Sequence, residues 1–283
     1  MSKGIVILAQ NSEGHDYIRM AYALTLSIDL SQTTKTPVTL ITNDPVPAEY
    51  AKVFDKVLEI PWGDASESSR FKVENRWKIY HASPYNETIV MDADMLVLDD
   101  LTNFWNTFKN YDVYYTSKVL DYRKNLITGD YYRKAFTANN LPNLYSGLHY
   151  FKKSDFAKEF YTLVELITNN WELFYGKFVS KHYPTRASMD VTAALAAKIL
   201  DCEHRISNYK FDPVTFVHMK PYVQGWKSPL ESWMKSVGVY FNKDCKLKIG
   251  NFNQSGVFHY TENEFMSDNI LEKLEVAWTN LSI

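Results

Sequence analysis

The stretch that decides the fold is Thr88-Ile89-Val90-Met91-Asp92-Ala93-Asp94-Met95-Leu96-Val97-Leu98, an apolar run interrupted by two acids. The residues ahead of the first acid are apolar or β-branched, which predicts a buried strand. Ligands of open α/β sheets bind beyond the carboxyl ends of strands, so this strand would present Asp92 and Asp94 at a binding edge. A D-x-D pattern alone arises by chance about once in a chain of this length. The apolar residues on both sides leave no polar face for a solvated turn, so we interpret the two acids as functional.

The bulk composition excludes several classes of protein. The chain has 283 residues, with 31 basic and 33 acidic side chains, so it lacks the basic footprint of nucleic-acid binders. Its two cysteines form no C-x-x-C pattern and no disulfide framework, which favours a reducing compartment. No apolar stretch approaches the 18 or so residues that a membrane span needs. We expect a single cytoplasmic domain over residues 1–283.

Strands and helices alternate over the first half of the sequence. We predict strands at 4–10, 37–42 and 57–61, and a helix over Arg70–Ala82 ahead of the strand that ends at Asp92. This order implies a mostly parallel sheet flanked by helices, with residues 1–100 as a nucleotide-binding half. Neither G-x-G-x-x-G nor G-x-x-x-x-G-K-[ST] is present, so a metal would have to hold the phosphates.

The second half, residues 101–283, has a looser pattern. It contains predicted strands at 112–117 and 147–151, a polar stretch over 121–142 that we interpret as loop or lid, and a helix capped by Ser154. A further helix runs from Ser188 to Leu200, and short strands and an amphipathic terminal helix follow. The predicted fold class is therefore α/β, with a small C-terminal β-rich region and a terminal helix.

The acid pair has a chemical requirement of its own. Two carboxylates repel a diphosphate, and each like-charge pair at about 4 Å costs about 4 kcal/mol at an effective dielectric near 20. A divalent cation reverses that sign. Hard oxygen ligands suit Mg²⁺ or Mn²⁺, which take substrate phosphates as further ligands. The pair therefore predicts a site for a nucleoside diphosphate donor.

Several motifs in this order resemble the GT-A glycosyltransferases, particularly the retaining, family 8-like group of glycogenin and the bacterial lipopolysaccharide galactosyltransferases. Residues 7–11, Ile-Leu-Ala-Gln-Asn, are similar to the opening strand and base-binding loop of that group, and Met91-Asp92-Ala93-Asp94 to its metal motif. Arg76 precedes Asp92 at the distance where relatives carry a basic residue directed at the donor. The resemblance implies that the nucleobase, ribose and phosphates contact Ala9, Gln10, Asn11, Tyr17, Arg76, Asp92, Ala93 and Asp94.

Two further motifs match the family in part. The segment Tyr145-Ser146-Gly147 is similar to an asparagine-x-glycine strand that lines the sugar pocket, with tyrosine in place of asparagine, and implies that Ser146 and Gly147 contact the donor. Asp190 matches the first residue of an aspartate-glutamine pair, but Val191 replaces the glutamine. Asp190 either caps its helix, which is worth about 0.5–1 kcal/mol, or binds donor hydroxyls, or acts as general base in an inverting reaction.

The family has a histidine as third metal ligand, and the sequence offers two candidates. His259 follows the last predicted strand, in Val257-Phe258-His259-Tyr260. His218 precedes Lys220, which the resemblance directs at the β-phosphate. We expect Asp92, Asp94 and His259 to hold Mn²⁺ or Mg²⁺, with His218 as the alternative ligand.

The resemblance implies a metal-dependent hexosyltransferase that moves a sugar from a nucleotide donor to an acceptor hydroxyl. We expect the donor to be a UDP-hexose, and the acceptor is not predicted. One alternative is a haloacid-dehalogenase-like phosphatase, whose nucleophile also lies in D-x-D, although that motif continues with Thr or Val and this chain continues Met95-Leu96. Another is a non-catalytic sugar-nucleotide-binding protein of the same fold, which the missing glutamine and asparagine allow.

Overall fold

The computed structural model describes residues 2–67, 69, 72–127, 133–179, 186–208, 214–219 and 232–281. The strands in these ranges are β1 Lys3–Leu8, β2 Val38–Ile41, β3 Lys56–Leu58, β4 Glu87–Asp92, β5 Met95–Val97, β6 Val113–Thr116, β7 Tyr145–Lys152, β8 Phe216–His218, β9 Val239–Phe241, β10 Leu247–Ile249, β11 Phe252–Asn253 and β12 Val257–His259.

The α-helices in the same ranges are α1 Tyr17–Ser31, α2 Ala48–Ala51, α3 Ile79–Ala82, α4 Thr102–Phe108, α5 Lys134–Ala138, α6 Asp155–Asn169, α7 Trp171–Phe178, α8 Met189–Ile199, α9 Glu203–Ile206 and α10 Asp268–Leu281. None of them combines the length and apolar character that crossing a bilayer takes. Short 3₁₀ turns cover Arg76–Lys78, Trp233–Lys235 and Asn263–Phe265.

The central sheet has the strand order β3-β2-β1-β4-β7-β6. The first four strands are mutually parallel, and β7 is antiparallel to both β4 and β6. In the β1–β4 pair, Leu8 is opposite Asp92, so both strands end at the same edge. The mostly parallel α/β sheet predicted from the sequence is confirmed.

Both faces of the central sheet are buried. Side chains alternate between the two faces along each strand, so neighbouring residues belong to different cores. Ile5, Ile7 and Met91 belong to one apolar core, together with residues of α1 and α10. Val6 and Val90 belong to the other core, which is shared with α6 and α8. Burial on both faces explains why β1 and β4 are continuous apolar runs, as is typical of parallel sheets.

Two smaller sheets contain most of the C-terminal strands. One has the order β5-β12-β8, with β12 antiparallel to β5 and parallel to β8. The other is an antiparallel meander, β11-β10-β9. The predicted C-terminal β-rich region is therefore present, and it recruits β5, the second half of the apolar run that follows the D-x-D acids.

Two local predictions were wrong in part. Among the described residues of the predicted helix over Arg70–Ala82, which begin at Lys72, only the 3₁₀ turn at Arg76–Lys78 and the short helix α3 are helical, and residues 72–75 are not. In that segment the side chain of Asn75 bonds to Asp64 instead of continuing a helix. The polar stretch 121–142, expected to be loop or lid, contains α5.

Candidate active site

The D-x-D acids lie at the junction between two sheets. Asp92 is the last residue of β4 in the central sheet, and Met95 opens β5 in the β5-β12-β8 sheet. Ala93 is 3% exposed and packs into the core between the two acids. The chain therefore changes sheets within the motif, and both carboxylates are held at the crossing point.

His259 is brought to this junction by strand pairing. In the antiparallel β5–β12 ladder His259 is opposite Met95, and the amide of Tyr260 donates to the carbonyl of Asp94. The Nε2 atom of His259 lies 2.9 Å from Oδ1 of Asp94. Burial acts to raise the pKa of Asp94, but His259 and Arg76 more than offset it, so this pKa lies below its usual value.

Asp92 is paired with a base from the segment ahead of α3. The Nη1 atom of Arg76 lies 2.7 Å from Oδ1 of Asp92. Burial alone would lower the pKa of Arg76, but the carboxylates of Asp92, Asp94 and Asp190 hold it above its usual value. Arg76 is therefore a permanent cation beside the acid pair.

Gly147 in β7 allows the close approach of Asp92. A Cβ added at this glycine would lie 2.9 Å from Oδ2 of Asp92 and 3.0 Å from the Met95 side chain. Real Cβ contacts are not this short, so any larger residue would displace the carboxylate. This is a physical reason for the glycine that follows Tyr145-Ser146 in the sequence.

The cluster of Asp92, Asp94 and His259 fits a divalent cation. One ligand atom from each of the three residues lies within 4.8 Å of the others. The Nδ1 atom of His259 is buried and has no hydrogen-bond partner among the described residues. Two carboxylates supply the hard oxygens that suit Mn²⁺ and Mg²⁺, and the imidazole adds a nitrogen ligand. Asp92 and Asp94 retain hard oxygens for such an ion.

His218, the alternative ligand, lies directly beside His259. The two histidines are opposite each other in the parallel β8–β12 ladder, and their ring centroids are 4.3 Å apart. His218 is 4% exposed and its ring also lies against Phe216 and Tyr145. In the described geometry it is His259 that contacts an acid of the pair, and His218 packs behind it.

Asp190, at the start of α8, is held by three hydrogen bonds. Its Oδ1 accepts from the amide and the hydroxyl of Ser146, at 2.8 and 2.5 Å, and its Oδ2 accepts from Nη1 of Arg133 at 2.7 Å. The Arg133 guanidinium also donates to the carbonyl of Leu144 and lies 3.5 Å from the Tyr145 ring centroid. Asp190 is therefore fixed in position by β7 and by the segment ahead of α5.

A small cavity lies beside Asp92. Arg76, Asp92, Ser146 and His149 are among its lining residues. His149 stacks on Tyr115 with a centroid distance of 4.8 Å, and its Nδ1 lies 2.6 Å from the Ser146 carbonyl. Burial lowers the pKa of His149 to about 4, so its ring is neutral at pH 7.

The residues predicted to bind the nucleobase lie after β1. Ala9 is buried and its amide bonds to β2. Gln10 bonds to Asp64 and Asn75, so its side chain joins β1 to the segment before Arg76. Asn11 donates its amide to Asp44 and caps the amide of Ile18.

Tyr17 lies close to the acid pair. Burial, followed by the charge of Asp94, raises its pKa to about 12. The structure thus brings Tyr17, Arg76, Asp92, Asp94, Gly147 and His259 together. Ser146, which bonds to Asp190, lines the small cavity together with Arg76 and Asp92, and Gln10 lies in a separate polar network. Lys220 lies outside the described residues.

Two residues near the site were not identified from the sequence. Arg133 lies in the polar stretch that we assigned to a loop or lid, and a lone arginine there carries no motif. His149 lies within an apolar strand, where a histidine is more often structural. The guanidinium of Arg133 covers the ring of Tyr145, so the tyrosine in place of asparagine is the one sequence feature that this arginine contacts. Val191, which stands where the family has glutamine, is 4% exposed and packs into the apolar core between the sheet and helices α6 and α8.

Comparisons with known proteins agree with this architecture. No protein-family model and no curated protein matches the sequence. Among solved structures, the galactosyltransferase LgtC in complex with donor and acceptor sugar analogs is 11% identical and has a TM-score of 0.53, over 99% of this chain and 96% of that one. Mouse xyloside xylosyltransferase 1 is 10% identical with a TM-score of 0.51, over 93% and 99% of the two chains.

The bifunctional glycosyltransferase WbbM is 12% identical with a TM-score of 0.51, and the match covers 99% of this chain but 50% of WbbM. At these identities the likeness shows the fold and not the chemistry. The chain has the mixed α/β fold of GT-A glycosyltransferases.

Proposed function

We propose that this protein is a metal-dependent glycosyltransferase that moves a hexose from a UDP-sugar to an acceptor hydroxyl. The observation that carries the proposal is the convergence of Asp92, Asp94 and His259 at one sheet edge, with Arg76 paired to Asp92 at 2.7 Å. The two acids suit a divalent cation and the neighbouring Arg76 suits phosphates, so together they fit a nucleotide ligand that binds with a metal ion. The GT-A fold supports this reading.

In this proposal the donor diphosphate lies over the D-x-D junction. Asp92, Asp94 and His259 would hold Mn²⁺ or Mg²⁺, which would supply Lewis-acid stabilisation of the departing diphosphate. Arg76 donates hydrogen bonds to the same leaving group, because its guanidinium is always charged and faces the acids. In this proposal the donor also contacts the backbone of Ala93 and of Gly147. Tyr17, Asn11, Ala9 and Gln10 border the nucleobase and ribose.

Asp190 and Ser146 hold the sugar. Asp190 already accepts three hydrogen bonds from Ser146 and Arg133, which favours a carboxylate that orients donor hydroxyls over one that collects a proton. Protonation of Asp190 would break its ion pair with Arg133, which disfavours a general-base role. This favours a retaining, family 8-like reaction over an inverting one. Val191 has no nucleophilic atom, so that position would supply no protein nucleophile.

The phosphatase alternative has less support. It needs the first acid of the motif as a free nucleophile, whereas Asp92 is paired with Arg76. The non-catalytic alternative shares the fold and the cluster, and hydrolysis of the bound donor separates it from an active enzyme.

The proposed organisation is a single domain over residues 1–283, in which residues 1–100 bind the nucleotide and residues 101–283 bind donor sugar and acceptor. His259 from the second half completes a cluster that begins in the first, which supports one unit. Cys202 and Cys245 are both unpaired, which is consistent with a reducing, cytoplasmic location.

Calorimetry with nucleotide sugars tests the proposal. UDP-glucose, UDP-galactose and their GDP counterparts are titrated into the protein with Mn²⁺, with Mg²⁺ and after chelation. We expect binding of a UDP-hexose that requires the cation and is lost in Asp94→Ala. Absence of cation-dependent binding by every donor in the panel would overturn the proposal.

A further inference from the structure

An open groove borders the carboxyl ends of β2 and β3. It has a volume of about 760 Å³ and is lined by Thr42–Asp44, Val46 and Val57–Gly63. Trp62 lies at its rim and is 69% exposed, the highest exposure of any large aromatic residue in the described chain. Its indole therefore offers a large apolar surface to a ligand.

The exposed indole is held rigidly. Its ring stacks on the buried ring of Trp77 with a centroid distance of 5.7 Å and an interplanar angle of 14°, and meets the edge of His81. Trp62 has a φ of 58°, which is rare for a bulky residue, and Gly63 follows at 79°. The buried ammonium of Lys78 donates to the carbonyl of Gly63 at 2.6 Å.

These contacts stabilise an unfavourable backbone conformation that keeps an apolar ring at the surface. Strain of this kind persists only where the surroundings impose it, and it collects at binding sites. Asn43 contributes by accepting the amide of Ile60 at 2.9 Å, which fixes the segment ahead of Trp62. The Trp62 ring, which we call the platform, is therefore fixed in position without a ligand.

The charge of the groove limits what it can bind. Asp44 and Glu59 are among its lining residues, the described part of the lining contains no lysine or arginine, and the nearby Lys78 ammonium is engaged by the carbonyl of Gly63. The two carboxylates repel phosphates and other anions. They accept hydrogen bonds from neutral hydroxyls. A pyranose meets both demands, since its axial C–H face stacks on an indole and its hydroxyls donate to carboxylates.

We propose that this groove is a saccharide subsite that binds a neutral sugar unit of the acceptor, with its ring on Trp62 and its hydroxyls on Asp44 and Glu59. The inference rests on the proposed transferase function. The 3₁₀ turn at Arg76–Lys78 connects the groove with the candidate metal centre, because Arg76 contacts Asp92 while the adjacent Trp77 supports Trp62. A sugar held on the platform is thus next to the element that carries the donor's basic residue.

Fluorine NMR of the protein labelled with 5-fluorotryptophan tests the subsite. The signal of Trp62 is assigned from its loss in Trp62→Ala. Lactose, maltotriose and the trimer of N-acetylglucosamine are titrated separately, and UMP is titrated as the nucleobase probe. We expect at least one saccharide to shift the Trp62 signal, and UMP to leave it in place.

Saccharide affinity is then measured on variants. Trp62→Ala is expected to weaken it about tenfold or more, and Glu59→Gln to weaken it less. Tyr240→Ala, which removes a ring that is 62% exposed on β9, is the matched control and should leave the affinity unchanged. Saccharide affinity that is equal in Trp62→Ala and wild type would overturn the subsite. So would a Trp62 signal that ignores all three saccharides, or one that moves with UMP.

Donor binding separates this inference from the proposed function. Mn²⁺-dependent affinity for the UDP-hexose is measured in parallel on wild type and on Trp62→Ala, and we expect the two to agree. If the donor binds and the saccharides do not, the subsite is wrong and the transferase proposal stands. If no donor binds, the proposed function is wrong.

Discussion

The Nε2 atom of His259 lies 2.9 Å from Oδ1 of Asp94, although the two residues are far apart in the sequence. The contact follows from backbone pairing, because β12 runs antiparallel to β5 and puts His259 opposite Met95. Side-chain position in a ladder is specified by register, since a slip of one residue would turn His259 to the other face. The candidate metal centre is thus a product of sheet geometry.

Replacement of the two histidines should have unequal effects on metal affinity. His259→Ala removes a direct ligand, so we expect Mn²⁺ affinity to fall by more than about 100-fold. His218→Ala removes a ring that supports His259 from 4.3 Å, and a supporting residue is worth about tenfold. Titration calorimetry measures both. A larger loss in His218→Ala than in His259→Ala would reverse the assignment of the third ligand.

Gly147→Ala should damage the site while the fold survives. The new methyl group would lie 2.9 Å from Oδ2 of Asp92, so the carboxylate must move and Mn²⁺ affinity should fall about tenfold or more. Overpacking of this size destabilises by about 1–3 kcal/mol. Circular dichroism and calorimetry measure fold and affinity.

Gly176→Ala is the matched control for Gly147→Ala. This glycine lies in α7, and a Cβ there meets nothing within 4 Å. Alanine in a helix is favoured over glycine by about 0.5–1 kcal/mol, so stability should rise slightly and metal affinity should not change. An equal loss of affinity in both variants would show that the effect is not specific to the approach of Asp92.

Arg133 should be coupled to Asp190. Arg133→Met leaves Asp190 with one partner fewer in a mostly buried setting, which should cost about 1–3 kcal/mol of the free energy of unfolding. The double variant with Asp190→Asn should cost less than the sum of the two single changes, because both remove the same ion pair. Urea denaturation measures all four proteins. Additive costs would mean that the ion pair contributes little to the native state.

His149 should make stability depend on pH. Its pKa is lowered from 6.5 to about 4 by burial, so the unfolded chain binds a proton before the folded one does. Stability from this group is full above pH 6.5 and falls as the pH drops from 6.5 to about 4, by on the order of 3 kcal/mol in total. Denaturation at pH 7 and at pH 4.5 measures the loss.

His149→Gln tests the source of that loss. Glutamine can still donate to the Ser146 carbonyl but does not titrate, so the decline between the two pH values should be smaller than in wild type. His15→Gln is a suitable control, because His15 is exposed on a loop. An unchanged decline in His149→Gln would mean that another group carries the pH dependence.

Local sequence patterns predicted the central sheet because both of its faces are buried. Under that condition each parallel strand is a short apolar run, as β1, β2 and β4 are, and the runs can be recognised without knowing their partners. The N-cap at Ser154 was also predictable, and its hydroxyl accepts the Ala157 amide. The helix over Arg70–Ala82 was not, because polar contacts of Asn75 with Asp64 and Gln10 compete with the helical hydrogen bonds.

Local residue patterns specify the alternation of strands and helices, the position of Asp92 at the end of a buried strand and the closeness of two acids whose repulsion a cation would relieve. These are properties of neighbours in the chain. The tertiary structure alone decided that His259 contacts Asp94, that Arg133 holds Asp190 and that Trp62 stands on Trp77. Such contacts depend on strand register and on packing between segments distant in sequence, and no local periodicity encodes them.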